Sequence, residues 1–294
     1  MSMSNFPDPS IFHWDESGGP AGEARASLLR DGVICIRDAF PANWLYRIEQ
    51  GIEKALSGAS TNVDIVKRKQ DPGTFSFSSG AWQSVEPFRE FIFESAMPDI
   101  AWALLDSHRL TLFYDFLLIK EALSPSANTP WHQDHSYYPL DGQQVINCWV
   151  ALDPIPEQSG LRFIKGSHLP GQLYRAIDFD EPERDYRHAR KELPLPPGDT
   201  IPQDTAILST CLNPGDMLVW TSYTLHSAPG NQLNQRRAAF SVNWVGDDVV
   251  FNGKPALESY CDPSQVVGKP IACEKFPVLR SRKPKTDKIT LKEC

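Results

Sequence analysis

The chain predicts a mainly β fold with flanking helices, a sandwich or jelly roll, folded as one domain. Three observations predict it. After Leu110 the sequence breaks into short β-rich segments separated by turn signals, at 110–120, 144–152, 160–164, 206–210, 216–220 and 236–244. Helix-period patterning lies before that point, in two stretches. The length, 294 residues at 41% hydrophobic, is enough for one sizeable core, and all-β domains of this size are common.

The elements follow in order. Residues 1–30 read as loop plus one short helix. Gly32-Val33-Ile34-Cys35-Ile36 reads as a short buried strand. Pro41 then opens a helix whose apolar face is Leu45, Ile48, Ile52 and Leu56, since proline is at home at a helix N-terminus. Residues 57–82 are polar, with Gly, Ser, Lys and Arg, and read as a loop able to approach a site. A second helical stretch runs from Glu86 to Leu105 and is interrupted at Pro98. A polar insertion, 170–204, separates the third and fourth β segments and carries Leu193-Pro194-Leu195-Pro196-Pro197-Gly198. Long structureless loops of this kind tend to be lids or binding loops. The division expected is a helical N-terminal part at 1–108, a β core at 109–246 and a C-terminal extension at 247–294.

Charge and cysteine usage narrow the class. The formal net charge is −8, which does not fit a nucleic-acid binder. The basic run from Arg280 to Lys292 includes Asp287 and reads as a solvated tail. Six cysteines, at Cys35, Cys148, Cys211, Cys261, Cys273 and Cys294, form no CxxC and read as free thiols of a reducing compartment. The start MSMSNFPDPS has no basic region followed by an apolar run, and the end LKEC is not the peroxisomal SKL address. No apolar stretch is long enough to span a membrane. A cytoplasmic protein acting on a small molecule, with no nucleic-acid or membrane partner, is the expectation. Nothing in the sequence sets an oligomeric state.

The chemistry concentrates in Trp131-His132-Gln133-Asp134. On an extended strand, residues i and i+2 point to one face, so His132 and Asp134 can grip one ion together. His226 follows the apolar strand Asp216-Met217-Leu218-Val219-Trp220 in a Gly/Pro/Ser-rich turn, and Arg237 begins the next β segment eleven residues later. Two imidazoles and one carboxylate on one face of a metal leave the other positions open, the facial triad of non-haem Fe(II) oxygenases. An isolated HxD is weak; the ordered set carries the reading.

The remaining candidates have plainer readings. His168 sits in a Gly-Ser-His turn and reads as structural. His135 points away from His132 and Asp134 if the segment is extended. His13, His108 and His188 read as surface or capping residues. Trp149 is core or pocket wall. Lys120 ends the strand Phe116-Leu117-Leu118-Ile119 and is a strand-end charge, or, if it faces inward with Phe116 and Leu118, a contact for an anionic substrate. Two other classes use the same ligands. One is a jelly-roll protein that binds a metal and a small molecule without turning it over. A zinc hydrolase would need a general base that the pattern does not offer.

The motifs together resemble the phytanoyl-CoA dioxygenase family of Fe(II)/2-oxoglutarate-dependent oxygenases. The resemblance rests on WHQDHSYY at 131–138, INCWVAL at 146–152 and GLRFIKGSH at 160–168. It continues through Gly215-Asp216, His226, Gly230-Asn231 and Arg236-Arg237, then GDDVVF at 246–251, Gly268-Lys269-Pro270 and Phe276-Pro277-Val278, spanning residues 30–280.

The resemblance implies a double-stranded β-helix, a cupin-like jelly roll. It implies His132, Asp134 and His226 as iron ligands, Arg237 on the distal carboxylate of 2-oxoglutarate, and Trp149 lining the cosubstrate pocket. Dioxygen is the oxidant, with succinate and CO2 as coproducts. The outcome expected is hydroxylation of a natural-product intermediate, small organic acid or acyl-CoA, or else desaturation, cyclisation or epimerisation. Asp134 argues against halogenation, because related halogenases lack this carboxylate.

Two departures stand out. The family often has Ser where this chain has Ala228, so Ser227, Ser241, a tyrosine or water must substitute. Arg236 and Arg237 are adjacent, and strand alternation lets only one face the site; the spacing favours Arg237. Substrate contacts are expected from 57–82, from the turn 221–225 and from the insertion, which carries Arg175, Asp178, Asp180, Glu181, Arg184, Arg187 and Arg190.

Overall fold

The structure is a computed structural model that describes residues 6–15, 18–60, 62–179, 186–198, 201–202 and 204–282. Asp180, Glu181, Arg184 and Cys294 lie outside the described residues, as does the basic run beyond Arg282. The chain begins with β1 (Ser10–His13), α1 (Ala21–Asp31), β2 (Val33–Arg37), α2 (Ala42–Lys54), β3 (Val63–Val66) and β4 (Phe75–Ser79). Helices α3 (Glu86–Glu94) and α4 (Met97–Leu105) follow, then β5 (Arg109–Lys120), β6 (Thr129–His132), β7 (Leu140–Asp141), β8 (Val145–Ala151), β9 (Arg162–Ile164) and β10 (Ile207–Leu208). The last strands are β11 (Met217–Thr221), β12 (His226–Ala228), β13 (Arg237–Val245), β14 (Val250–Phe251) and β15 (Val278–Ser281).

Two sheets form a jelly roll. The larger has the order β1-β2-β11-β8-β13-β5-β4-β3, with β15 pairing the first half of β5; the smaller has the order β10-β9-β12-β6. β7 and β14 form a separate pair. The outer face of the large sheet is covered by the four helices. There Phe88 of α3 stacks on Phe240 of β13 with ring centroids 4.6 Å apart, and Ile34, Ile36, Ile48 and Leu104 are fully buried around them. Gly51 on α2 makes this approach possible, because any Cβ there would collide with the Phe88 ring. The inner face meets the small sheet through Trp149, Phe163, Leu218 and Trp220. A third cluster, Phe113, Tyr114, Tyr138, Tyr260 and Phe276, docks the C-terminal extension on the end of the roll.

The six β segments and the two helical stretches occur where the sequence places them. The second stretch is broken at Ser95–Ala96, and Pro98 sits in the first turn of α4, where its missing N–H costs nothing. Three expectations are corrected. Residues 57–82 are not a loop: Val63–Val66 pairs with Phe75–Ser79, which in turn pairs with β5, extending the large sheet. The start of the basic run is not a free tail: Arg280 lies in β15 and its Nε donates to Asp99 at 2.7 Å. His226 is not in a turn but opens β12. The five described cysteines are free. No helix among the described residues is long and apolar enough to cross a membrane.

Candidate metal and cosubstrate site

Strand pairing builds the metal site. His132 ends β6, His226 begins β12, and the two are direct partners in that antiparallel pair. Their rings lie 4.2 Å apart, centroid to centroid. Gln133 keeps an extended backbone, so His132 and Asp134 face one way across it, and the chain turns into a short 3-10 segment only from Asp134 onward. Its Oδ1 is 3.4 Å from His132 Nε2 and its Oδ2 is 3.6 Å from His226 Nε2. One ligand atom from each residue fits within 4.8 Å of the others, the one such His/Asp cluster among the described residues.

Each ligand is oriented by a second group. Nδ1–H of His132 donates to the Pro130 carbonyl and that of His226 to the Thr224 carbonyl, both at 2.9 Å. A carbonyl only accepts, so each Nδ1 carries the proton and each Nε2 lone pair faces the centre. Trp220 Nε1 donates to Asp134 Oδ2 at 2.9 Å, and Asn147 Nδ2 donates to the same oxygen. Burial pushes His226 down to about 4, so it is neutral near pH 7. Burial alone would raise Asp134, but the imidazoles and the Trp220 bond outweigh it and bring the carboxyl down to about 2. Two imidazoles and one carboxylate converge, a donor set that suits a divalent first-row metal such as iron.

The inner face of the large sheet sets out the rest in rows. β11, β8, β13 and β5 place Trp220, Asn147, Asn243 and Tyr114 side by side. The next row is Leu218, Trp149, Ser241, Phe116 and Ser79. At the far end Arg237, Lys120, Phe75 and Val66 form one row. Asp134 hangs from the first row and Arg237 stands in the last. Between the sheets lies a cavity of about 400 Å³ lined by both ends.

Arg237 is 6% exposed, lies over the Trp149 ring at 5.7 Å, and its Nε has no hydrogen-bond partner among the described residues. Desolvation lowers it to about 10, still charged at neutral pH. Arg236 points the other way and pairs with Asp153 and Glu49. A buried guanidinium with an unclaimed N–H is a fitting seat for a carboxylate. Trp149, Phe116 and Lys120 all line the cavity, as do Ser227 and Ser241.

Other expectations resolve plainly. His135 is buried, bonds Ser222 Oγ at 3.0 Å and stacks on Tyr223. His168 Nε2 bonds the Leu29 carbonyl at 3.0 Å. His13 and His108 are exposed, and His188 lies beside Tyr186. The turn 221–225 does not line the cavity; it holds His226, Gln133 and His135 in place through Thr224, Tyr223 and Ser222. The insertion does reach the cavity, through Ile177, Asp178, Phe179 and Tyr186. Gln133 ties it down: its Nε2 donates to Gln172 and Tyr223 carbonyls, and its Oε1 accepts from Tyr174 N–H.

Segment 57–82 reaches the cavity as expected, through Val66, Phe75 and Phe77, and the inward face is legible from the alternation Phe75-Ser76-Phe77-Ser78. Trp220 and Asn147 are not, because only the pairing of β11 with β8 brings both to Asp134.

The phytanoyl-CoA dioxygenase (PhyH) family pattern matches residues 28–239. A search of the curated proteins returns no match. Among solved structures, the fold is similar to the non-heme alpha-ketoglutarate-dependent epimerase SnoN from nogalamycin biosynthesis. The identity is 21%, covering 90% of this chain and 98% of that one, with a TM-score of 0.67. SnoN has also been crystallised with Fe3+, alpha-ketoglutarate and nogalamycin RO. The carbocyclase SnoK from the same biosynthesis is 19% identical over 87% of this chain and 95% of that one, at TM-score 0.66. EvdO2 from Micromonospora carbonacea var. aurantiaca, complexed with 2-oxoglutarate, is 19% identical over 82% of this chain and 96% of that one, at TM-score 0.58. At these identities the structures establish the jelly-roll fold. The family pattern covers well over half of the sequence, and the chain belongs to the phytanoyl-CoA dioxygenase family, as an oxidoreductase that depends on iron, 2-oxoglutarate and dioxygen.

Proposed function

We propose that this enzyme hydroxylates a compact small molecule, with iron on His132, Asp134 and His226 and the distal carboxylate of 2-oxoglutarate on Arg237. One observation carries the reading: the cavity has a three-donor metal cluster at one end and a buried, unpartnered guanidinium at the other. When bound, iron with 2-oxoglutarate and dioxygen supplies the oxidation of a substrate C–H bond, releasing succinate and CO2.

The chain's own residues supply position and dryness. The Pro130 and Thr224 carbonyls fix the ring orientations of the two histidines. Asn147 and Trp220 hold one Asp134 oxygen and leave Oδ1 for the metal. Trp149 forms a flat wall beneath Arg237. Phe75, Phe77, Phe116 and Phe179 line the cavity and exclude water.

The same walls narrow the substrate. The cavity is near the small end of ligand pockets and holds the cosubstrate as well, so only a compact molecule, or the acyl portion of a larger one, fits inside. Its body meets mostly aromatic carbon. Asn243, 2% exposed and lining the cavity one strand from Asn147, has an Oδ1 with no hydrogen-bond partner among the described residues and is placed to meet a polar group of the substrate. Desaturation, cyclisation or epimerisation uses the same site, and the similarity to an epimerase and a carbocyclase favours testing for them.

Anaerobic titration with Fe(II) and 2-oxoglutarate tests the reading. The visible charge-transfer band of the chelate is expected in the wild type, and its loss in His132→Ala and Asp134→Ala. A folded, iron-loaded protein with no band would overturn it. Product analysis by mass distinguishes hydroxylation, a gain of one oxygen, from desaturation, cyclisation or epimerisation.

A further inference from the structure

The row beside Asp134 holds two polar atoms that the protein leaves unmet. Its members, Trp220, Asn147, Asn243 and Tyr114, are uncharged and all line the cavity. Trp220 Nε1 and Asn147 Nδ2 are spent on Asp134 Oδ2. A carboxylate oxygen only accepts, so the donating atom of Asn147 is its nitrogen and the atom left over is its oxygen. That Oδ1 is buried and has no hydrogen-bond partner among the described residues. Asn243 stands directly opposite Asn147 on the neighbouring strand, and its Oδ1 is buried and unpartnered in the same way. Directly opposed residues leave one face of a sheet about 5 Å apart. Two amide side chains, each 2% exposed, thus bring unmet acceptors to one stretch of the cavity wall.

An unmet buried acceptor costs about 1 to 3 kcal/mol, and native interiors hold few of them. Two together on the wall of a cavity call for a donor that enters with a ligand. The charge around them says which kind. Beyond Asn243 the Tyr114 hydroxyl is bonded to that of Tyr138 at 2.7 Å, and Tyr260 of the C-terminal extension packs on the Tyr114 ring at 4.9 Å. Burial pushes the Tyr114 and Tyr138 phenols well above their ordinary range, so both keep their protons and the row stays neutral. Arg237 and Lys120 stand in the last row, at the other end of the sheet face. An ammonium would find no carboxylate in this row, and a carboxylate would set acceptors against acceptors. A neutral donor suits both oxygens. The smallest is a hydroxyl, which fits a cavity that must also hold the cosubstrate.

We propose that Asn147 and Asn243 form a hydroxyl-reading site, and that the substrate is a neutral alcohol whose O–H is held at the metal end of the cavity. The proposal rests on the iron and 2-oxoglutarate reading above and names the substrate class for it. Asn243 is the specificity-determining residue. Asn147 serves twice, orienting Asp134 through its nitrogen and receiving the substrate hydroxyl through its oxygen.

The test uses three probes with one aromatic body, matched to the Phe75, Phe77 and Phe116 walls: 2-phenylethanol, its methyl ether and 2-phenylethylamine. The alcohol offers a neutral donor, the ether an oxygen without a donor, the amine a cation. Each is titrated anaerobically into protein loaded with Fe(II) and 2-oxoglutarate. Affinity is read by calorimetry, and the charge-transfer band is recorded in the same samples. The wild type should bind the alcohol about tenfold more tightly than the ether, as for one buried hydrogen bond, and more tightly than the amine. In Asn243→Leu the preference for the alcohol over the ether should shrink to about twofold or less, with the band and the affinity for the ether unchanged. Those two constants show that the variant folds and holds iron and cosubstrate. A wild type that takes the ether or the amine as well as the alcohol, or that binds none of the three at millimolar concentration, overturns the proposal without needing the variant. So does an Asn243→Leu protein that keeps the full preference. In each of these cases a normal charge-transfer band leaves the iron and 2-oxoglutarate reading standing; its absence from the wild type would sink both.

Discussion

Asp115 offers the sharpest stability test in the molecule. It lies on β5 with its side chain on the face opposite Tyr114 and Phe116, and it is fully buried. Its Oδ1 accepts a long bond from Trp82 N–H at 3.4 Å, and its Oδ2 has no hydrogen-bond partner among the described residues. Burial raises its pKa from 3.8 to about 7, against the pull of backbone amides at Gly80, Ala81 and Trp82. The folded value is above the unfolded one, so the contribution to stability is full below pH 3.8 and is lost as pH rises through about 7. A gap of about 3 units at 1.36 kcal/mol each amounts to about 4 kcal/mol. Asp115→Asn keeps the shape and cannot ionise. Urea unfolding of both proteins at several pH values from 4 to 9 measures the difference directly, because every other titrating group is shared. The variant should gain on the wild type by about 1.4 kcal/mol per pH unit between pH 4 and 7, then hold that lead. Parallel profiles across the range would refute the argument, and so would a variant that is less stable at pH 8.

Three further outcomes are expected. Trp220→Phe removes one of the two donors on Asp134 Oδ2 while keeping an aromatic ring beside Phe163, so iron affinity should fall by about tenfold or more in a competition titration with a chelator. Phe240→Ala deletes the ring that stacks on Phe88 and should cost about 3 to 5 kcal/mol in denaturant unfolding, with the metal ligands untouched. Arg236→Gln breaks the links to Asp153 and Glu49 on the outer face and should lower stability by about 1 to 2 kcal/mol, with 2-oxoglutarate affinity changed far less than in Arg237→Leu.

The parts of this site that can be read from the sequence are those set by short-range period. His132 and Asp134 are two residues apart, and Arg236 and Arg237 are neighbours of which alternation admits one; local geometry bears directly on both pairs. Phe116, Leu118 and Lys120 share a face of β5 for the same reason. Residues 63–79 were hidden because their strands mix Phe with Ser and Val with Asp, so composition looked like a loop although the period was that of a strand. The orienting groups were hidden for a deeper reason. Trp220 and Asn147 are more than seventy residues apart in sequence, and only the register of β11 on β8 sets them side by side. No local signal encodes a register across that distance. His226 in β12 is a similar case: three residues flanked by Gly, Pro and Ser carry too little pattern to declare a strand, and its pairing with β6 and β9 decides it.

That dependence on register gives the outer face of β13 a part in the chemistry. A slip of one residue would exchange the two faces and turn Arg237 out and Arg236 in. The outer face resists such a slip at both ends. Arg236 is held by Asp153 and Glu49, and the Ala238 N–H donates to Asp153 Oδ2 at 2.8 Å, so one carboxylate fixes two successive outward positions. Further along, Phe240 is locked between Phe88 and Phe91, and Trp244 is fully buried in the same core. These outward residues touch neither metal nor cosubstrate. They determine that Arg237, Ala239, Ser241 and Asn243 face the cavity, and with them the separation between the guanidinium at one end and the Asp134 carboxylate at the other. Under the proposed function, a cosubstrate reaching both ends would be measured by the packing of helices α2 and α3 on the far side of the sheet.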